Sequence, residues 1–480
     1  MDPRQRRNEE RVVQTRTARQ TRRAPGRARR TCGERPMNSQ TSSKHIPGAY
    51  IAASPLPSPN LGLWNKGFTS LLFTQFFEAA SDNIIKGVIS FAVAFGAPWE
   101  KVFGDGGNGI VGLAFTLPFI LLSAFGGRLA DRRSKSQITV ILKAVSFAVA
   151  ALAAMSFARG DAWMALAALI AFSVVSAFFG PVKYGMIAEL VDPQQLARAN
   201  GIINMATNVA VILGMLVAGI VAAHWKSSFV DGVPAGSNAW LPGIAMFVAV
   251  TLGFLTCLTL PKLAPQSPDL AIDYNPFSTY IQTMQLMAKS PLLAVAGAWT
   301  FFYFIAAVVL LILPDYSAFL KVEDSETAYL MAALAVAIGV GCVIAAYADT
   351  PQRRPLFVPF GAAGLAVSFV LLGVAPADFT MTIVLLLVAG FFAGFYIIPL
   401  QSMLQALAPD DCRGRVLGTA NGLSFVLGAV GSVLFLGLRR LDMPSNRIFI
   451  VLGLLCAAMA VVMLIWLKKH FARPSDEARR

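Results

Sequence analysis

Three charged residues fall within one long apolar run of the chain. Glu78, Asp82 and Lys86 are spaced at i, i+4 and i+8, which places them along one face if the run is a helix. A charge in a hydrocarbon environment costs at least ~2.5 kcal/mol, so such residues are usually retained for function. We expect them, with the neighbouring amide Asn83, to form a substrate or proton pathway. The spacing of Asp82 and Lys86 also suits an ion pair, whose role could be purely structural.

Polar residues in three further apolar runs could share this chemistry. Lys183 lies near the end of the fourth run, where its ammonium group could hold a phosphate or anchor the helix among lipid headgroups. Lys143 lies early in the third run, and its long side chain is expected to reach the headgroups. Asparagines recur every four residues in the fifth run, facing either a partner helix or a cavity: Asn200, Asn204 and Asn208.

A short charged loop after the second apolar run indicates a conformational switch. It contains Asp131, Arg132 and Arg133, and a related loop after the eighth run contains Asp349. A loop carboxylate can lie at a helix N-terminus or against an arginine in one conformation and be released in another. We therefore predict that these four residues form a conformational latch. The alternative is an ordinary solvated turn.

The composition of the 480 residues is that of an integral membrane protein. Hydrophobic residues make up 56% of the chain, charged residues 14%, and the mean hydropathy is +0.62; a soluble domain could not bury so much apolar surface. Most of the net charge of +14 comes from the stretch that ends at Lys66, which is rich in arginine and poor in Asp and Glu. The remainder is only mildly basic, so no nucleic-acid partner is expected.

Nothing in the sequence indicates an enzyme. The five cysteines lack a CxxC spacing, and the three histidines are distant from one another and from the cysteines. There is no GxxxxGK[ST] run and no HxxxxD motif. We therefore expect no metal site, no cofactor and no ATP-driven transport by this chain alone.

From Phe68 to Leu467 the chain contains twelve apolar runs of about 20 residues, each long enough to cross roughly 30 Å of hydrocarbon as a helix. The sequence thus predicts an all-α membrane protein with twelve transmembrane helices. The loops after even-numbered runs carry eleven Lys and Arg, and the opposite loops carry seven. Because basic loops stay in the cytoplasm, both termini are expected there.

An internal repeat divides the chain into halves. Asp131 recurs as Asp349, and the Ala-Asn-Gly sequence around Asn200 recurs around Asn421 at a nearly equal separation along the chain. The predicted division is a disordered basic tail at 1–65, a six-helix bundle at 66–260, a cytoplasmic linker at 261–290, a second six-helix bundle at 291–467 and a cytoplasmic tail at 468–480. Residues before Met37 could be an inert or early-start artefact, an electrostatic tether to lipids or a targeting peptide.

Several motifs resemble those of known transporters. Residues 127–135 read GRLADRRSK, similar to the G-x-L-a-D-r-x-g-r-k loop of the major facilitator superfamily. Residues 74–86, TQFFEAASDNIIK, resemble the T-Q-F-x-x-x-x-x-D-N-x-x-K motif of bacterial lysophospholipid transporters. Residues 178–190, FFGPVKYGMIAEL, are similar to F-x-P-x-K-Y-G-x-L-P-E-L of the same transporters. The resemblance implies the major facilitator fold, although Glu78 stands where these transporters usually have a small or uncharged residue.

The resemblance also implies a function: inward movement of lysophospholipid across the bacterial inner membrane, where a separate acyltransferase would reacylate it. Membrane lipid and either a lysophospholipid or a small-molecule substrate are then the expected partners. Two other functions stay open. One is proton-driven export of a small solute or drug through Glu78 or Asp82. The other is a membrane scaffold or receptor that recruits acidic partners through its N-terminal arginines.

Overall fold

A computed structural model of the protein describes residues 62–93, 97–104, 107–230, 232–273, 275–320, 324–350 and 353–471. The tail predicted at 1–65 lies almost wholly outside these residues, as does most of 468–480. The described residues form twelve long helices, which confirms the predicted all-α class. They are α1 Lys66–Ala92, α2 Gly107–Arg132, α3 Lys135–Arg159, α4 Ala162–Leu190, α5 Leu196–Lys226, α6 Leu241–Cys257, α7 Leu292–Leu320, α8 Asp324–Ala348, α9 Arg354–Val374, α10 Phe379–Leu407, α11 Arg413–Arg440 and α12 Ser445–Phe471.

Eleven of these twelve helices are long and apolar enough to cross a bilayer. The exception is α1, whose 27 residues are sufficient in length but include Glu78, Asp82 and Lys86. An α-helix makes its backbone hydrogen bonds internally, so it can lie in hydrocarbon without unpaired backbone groups. The polar side chains of α1 must instead be accommodated by neighbouring helices.

Caps and a glycine set the ends of several helices. The side chain of Asn65 accepts a hydrogen bond from the backbone amide three residues later (2.9 Å) at the start of α1. Asp161 caps α4 by accepting from the amides of Trp163 and Met164, both at 3.0 Å. Gly160 ends α3 with a φ of 69°, a conformation that glycine adopts without strain. The turn from α3 to α4 therefore needs only two residues.

The helices pack as two six-helix bundles. In the first, α1 packs against α5 and α6, α2 against α4, and α3 against α4 and α6. In the second, the repeat-related pairs recur: α7 packs against α11 and α12, α8 against α10, and α9 against α10 and α12. The bundles meet where α2 packs against α11 and α5 against α8.

Small residues allow the bundles to approach closely at one end, which we call the closed end; α1 begins and α2 ends there. A β-carbon at Gly127 of α2 would overlap the carbonyl oxygen of Gly414 of α11. A β-carbon at Gly201 of α5 would overlap the methyl group of Ala346 of α8. Small residues permit this kind of backbone contact between membrane helices.

Contacts between the bundles extend from the closed end to about the middle of the helices. Phe119 of α2 stacks on Phe425 of α11 near the midpoint of both helices, with 4.2 Å between the ring centroids. The other inter-bundle hydrogen bonds and ring contacts of the described residues lie nearer the closed end. The bundles are therefore joined at that end.

Several shorter elements were not expected from the sequence, among them a four-residue helix, Glu100–Phe103, before α2. Between α5 and α6, β1 (Phe229–Val230) and β2 (Val233–Pro234) pair as an antiparallel hairpin. Between α6 and α7, inside the segment predicted as a polar linker, Pro276–Ala288 form a helix that we call the linker helix. Its first turn is capped by the side chain of Asn275, which accepts from the backbone amide of Phe277 at 3.0 Å.

Candidate functional site

The charged face of α1 lies in the interior of the first bundle. Glu78 and Asp82 are only 5% and 8% exposed, and Asp82 lies just past the middle of α1. Their spacing of four residues places both carboxylates on the same side of the helix, toward side chains of α3 and α4. The protein thus holds two carboxylates side by side at mid-helix, away from lipid.

Lys143 of α3 forms an ion pair with Glu78. Its ammonium group also lies over the ring of Phe179 in α4, 4.6 Å from the centroid. The expectation that Lys143 reaches the headgroups is wrong, because the side chain is 2% exposed. A buried lysine and a buried carboxylate each need an opposite charge, and here they supply it to one another.

Ser176 of α4 lies between the two carboxylates. Its hydroxyl oxygen is 3.0 Å from Oε1 of Glu78 and 2.9 and 2.8 Å from Oδ1 and Oδ2 of Asp82. A hydroxyl group has one hydrogen to donate. The hydroxyl oxygen therefore lies within hydrogen-bonding distance of three carboxylate oxygens but can donate to one of them at a time, and Ser176 links α4 to both acidic positions of α1.

The expected ion pair between Asp82 and Lys86 is not among the ion pairs that the described residues form within 4 Å. The Lys86 ammonium group instead lies over the ring of Phe115 in α2, at 5.0 Å. The hydroxyl of Ser176 takes the hydrogen-bonding position beside Asp82. Lys86 remains close enough for its charge to act on Asp82, and so does Lys183. This prediction was wrong about direct contact.

Asn83 points away from this cluster. Its side-chain amide donates to the carbonyl oxygen of Ala79 in its own helix, at 2.8 Å. On the neighbouring helix α5, a β-carbon at Gly214 would lie 3.1 Å from the β-carbon of Asn83. The structure therefore brings together Glu78 and Asp82 but not the adjacent amide.

Lys183 lies at one end of a series of aromatic rings where α4 meets α7. The ammonium group of Lys183 lies 4.4 Å from the centroid of the Tyr184 ring. Tyr184 meets Trp299 of α7 edge-on at 6.3 Å, and Trp299 meets Tyr303 at 5.0 Å. The indole N–H of Trp299 is buried and has no hydrogen-bond partner among the described residues. This junction between the two bundles therefore contains both the ammonium group of Lys183 and an indole N–H that is available to donate a hydrogen bond.

Asp131 joins the bundles at the closed end. Its carboxylate accepts hydrogen bonds from the backbone amides of Gly414 (2.6 Å) and Arg415 (3.0 Å), at the start of α11. The guanidinium group of Arg415 adds a third, at 3.1 Å. Free amides and the helix dipole make a helix N-terminus a good site for an anion, and Asp131 is completely buried there.

The other residues of the predicted latch lie outside these contacts. The hydrogen bonds of the Asp131 carboxylate do not include Arg132, Arg133 or Asp349. Arg132 ends α2 and is partly buried, Arg133 is exposed, and Asp349 directly follows α8. The arginine that contacts Asp131 comes from the second bundle. Sequence alone did not predict the contact between Arg415 and Asp131.

A network of uncharged amides joins α5 to α10. Asn200 donates to Oε1 of Gln405 (2.8 Å) and accepts from Gln405 and Gln401 (3.1 and 3.2 Å). Asn204 donates to Gln401 at 2.9 Å. The asparagine stripe of α5 therefore faces a partner helix at Asn200 and Asn204. The repeat-related Asn421 of α11 also bonds across the bundles but to a different helix, donating to the hydroxyl of Ser123 in α2 at 3.1 Å.

One of these hydrogen-bond partners, Gln401, could have been predicted from the internal repeat. Pro181 of α4 and Pro399 of α10 are separated along the chain by the same distance as Asp131 and Asp349. By the same repeat, Gln401 corresponds to Lys183, so the repeat could have identified Gln401 as an inward-facing residue. Ser176 gave no such signal, because serine is common in apolar membrane helices.

The sequence comparisons find relatives along most of the chain. Residues 71–432 match the Major Facilitator Superfamily. The lysophospholipid transporter LplT of Cronobacter sakazakii is 26% identical over 425 residues, covering 86% of this chain and 99% of that protein. LplT of Escherichia coli O1:K1 / APEC is 25% identical over 442 residues, covering 86% of this chain and 98% of that protein.

Solved structures show the same fold. The human organic anion transporter MFSD10 (TETRAN) superposes with a TM-score of 0.64 at 13% identity, covering 82% of this chain and 99% of that one. The proton:xylose symporter XylE superposes with a TM-score of 0.61 at 15% identity, covering 84% and 95%. At these sequence identities, the similarity to the two solved structures shows a shared fold alone. Since the superfamily match spans most of the chain, the protein belongs to the major facilitator superfamily and is a multi-pass membrane transporter rather than an enzyme.

Proposed function

We propose that the protein transports lysophospholipid across the bacterial inner membrane by alternating access. The observation that carries the proposal is the buried polar cluster around Asp82, which is built on the helix that resembles the lysophospholipid transporters. Charged residues within membrane helices usually mark the pathway of a substrate or ion. The substrate class is supported by the alignment with the two LplT proteins over nearly their whole length.

The cluster has a charge composition that suits a phospholipid headgroup. It contains ammonium groups on Lys86, Lys143 and Lys183, and carboxylates on Glu78 and Asp82. Glu78 neutralises Lys143, so Lys86 and Lys183 are left to share the single charge of Asp82. A phosphate group would balance this excess of positive charge. The ammonium group of an ethanolamine headgroup would be attracted to Asp82.

Alternating access requires the closed end to open, so the contacts between the bundles there must break. We assign the latch to Asp131 and its partner Arg415, with Arg132, Arg133 and Asp349 of the two related loops flanking it without contacting the Asp131 carboxylate. The asymmetry of loop charge suggests that the closed end and both termini face the cytoplasm. The conformation described here would then be the outward-facing one.

The function is tested with purified protein in liposomes that carry labelled lysophosphatidylethanolamine in the outer leaflet. We expect faster movement to the inner leaflet than in protein-free liposomes or with the Asp82→Asn variant, and no faster movement of the diacyl lipid. A separate acyltransferase enclosed in the liposomes would convert the arriving lipid and provide a second readout. Equal rates with and without the protein would contradict the proposal.

A proton-driven exporter of a small solute or drug is a second candidate, and one observation favours it. The single hydrogen of Ser176 can satisfy only one of the two carboxylates that contact its oxygen. The other contact becomes a hydrogen bond only when that carboxyl group carries a proton of its own. An imposed proton gradient separates the candidates, because an exporter would be driven by it and a downhill lipid transporter would not.

A further inference from the structure

The linker helix, Pro276–Ala288, presents a row of exposed apolar side chains. Phe277, Ile281 and Met284 are 57%, 58% and 39% exposed, and their spacing places them within about 60° on one side of the helix. The opposite side is buried against the bundles and includes Thr279 and Thr283. A row of this kind on a helix surface marks contact with a membrane or a partner rather than with water.

Tyr280 fixes this helix in the crevice between α2 and α11. Its hydroxyl group donates to the carbonyl oxygen of Ile120 in α2, at 2.7 Å. On the other side of the crevice, a β-carbon at Gly422 of α11 would overlap the same hydroxyl group. Glycine at this position leaves the space that the tyrosine occupies, so one side chain of the linker contacts both bundles.

The path of the linker shows how deep the helix lies. Ser267 donates its backbone amide to the carbonyl oxygen of Asp131 (2.8 Å) at the end of α2. Arg128, one turn further inside, donates to the carbonyl oxygen of Ala271 at 2.9 Å. Tyr280 then reaches Ile120, which is about 18 Å along α2 from its end at Arg132. Even allowing for the length of a tyrosine side chain, the linker helix lies beside the membrane helices and not beyond them.

We propose that the linker helix docks on lipid: Phe277, Ile281 and Met284 contact the acyl chains of the leaflet at the closed end, while Tyr280 fills the crevice between α2 and α11. The depth of the helix is that of interfacial amphipathic helices, whose apolar side enters the boundary between headgroups and acyl chains. The next membrane helix, α7, packs against the linker helix, begins four residues after it and exposes the apolar side chain of Leu293. This inference is independent of the transported substrate.

The test places a nitroxide label at single cysteines in the full-length protein, reconstituted in phosphatidylethanolamine and phosphatidylglycerol liposomes. Phe277→Cys and Ile281→Cys are compared with Gln282→Cys, an exposed polar position about 140° around the same helix from Phe277. Cys32 is replaced by serine, and the cysteines at 257, 342, 412 and 456 are buried. Collisions with oxygen, which concentrates in acyl chains, and with a water-soluble nickel chelate are then measured.

We expect the ratio of oxygen to nickel collisions to be several-fold higher at positions 277 and 281 than at position 282. If labels at 277 and 281 collide with nickel as often as the label at 282, the row faces water and the proposal is wrong. If they are shielded from both reagents, a second copy or another protein covers the row, and the proposal is equally wrong. Should Ile281→Cys fail to fold, Met284→Cys against Gln282→Cys makes the same comparison.

Discussion

Lys143 of α3 and Glu78 of α1 form an ion pair in the interior of the first bundle, with side chains that are 2% and 6% exposed. Neither residue would be tolerated there alone. Removing one partner of a buried pair leaves an unpaired charge and costs about 3–5 kcal/mol, whereas replacing both by neutral residues is often close to neutral. The pair therefore makes these two positions interdependent.

We predict that Lys143→Met and Glu78→Gln each lower the free energy of unfolding by about 3–5 kcal/mol, and that the double variant recovers most of the loss. The measurement is a double-mutant cycle in detergent, followed by thermal unfolding. Additive effects of the two substitutions would show that the side chains are not coupled. Transport by the double variant then reports separately whether the charges themselves are needed.

The hydroxyl group of Ser176 provides a second prediction. Ser176→Ala removes a hydrogen bond to a buried carboxylate, an interaction worth about 1.5–3 kcal/mol, so we expect a roughly 10-fold or greater loss of transport or a matching loss of stability. The matched control is Ser173→Ala in the same helix, because Ser173 is also buried and, among the described residues, its hydroxyl bonds to the carbonyl oxygen of Leu169 alone. If the two variants behave equally in transport and unfolding assays, Ser176 does not contribute to the site.

Asp82→Asn should abolish most transport while expression stays near normal. The substitution keeps the size of the side chain and its contact with Ser176 but removes the charge that acts on Lys86 and Lys183. Initial rates in liposomes and the yield of folded protein are the two measurements. Because Asp82 and Lys86 are not in direct contact, exchanging them as Asp82→Lys with Lys86→Asp should not restore transport. Restoration would show that they pair directly during the cycle.

The sequence predicted the helices well because each depends on local composition. An apolar run of about 20 residues becomes a helix whatever its neighbours are, and the start of α1 was placed within two residues, at Phe68 against Lys66. The linker helix does not follow from composition, because its segment is polar and rich in proline. Its apolar residues are too few for a membrane span, and helical spacing over 13 residues is a weak signal.

The sequence was less informative about partners across helices. Glu78 and Asp82 could be identified because charged residues are rare in apolar runs. Which lysine forms an ion pair with them depends on how α3 and α4 approach α1: the pair is Lys143 with Glu78, not Lys86 with Asp82. Similarly, the sequence marked Asp131 but not Arg415, which comes from the other half of the chain. Contacts between residues so far apart along the chain depend on how the helices pack. The local spacing of charged residues does not predict that packing.

Asp131→Asn should loosen the closed end. The variant keeps an oxygen for one backbone amide of α11 but loses the charge that interacts with the helix N-terminus and with Arg415. We expect the average distance between spin labels at Gln194→Cys and Arg353→Cys, on exposed connections of the two bundles, to increase. The control is Asp410→Asn, since Asp410 is 76% exposed and its pair with Arg413 should contribute little. An unchanged distance distribution in Asp131→Asn would argue against a latch.

Gly127→Ala tests whether close packing of α2 against α11, as distinct from the charge of Asp131, keeps the closed end together. The added methyl group would overlap the carbonyl oxygen of Gly414, so α2 and α11 must separate for the variant to fold. Each bundle keeps its own interior, because the overlap lies between the bundles. We therefore expect the protein to fold but to favour conformations in which the closed end is open.

Gly112→Ala is the matched control, since it adds the same methyl group to the same helix where, apart from the backbone of α2 itself, no described atom would lie within 4 Å. The label distance between positions 194 and 353 should increase in Gly127→Ala and stay unchanged in Gly112→Ala. Transport should fall at least several-fold only in Gly127→Ala, because a transporter that cannot close one end cannot complete alternating access. If Gly127→Ala keeps both the native distance and the native rate, the close approach of α2 and α11 is not required for the cycle.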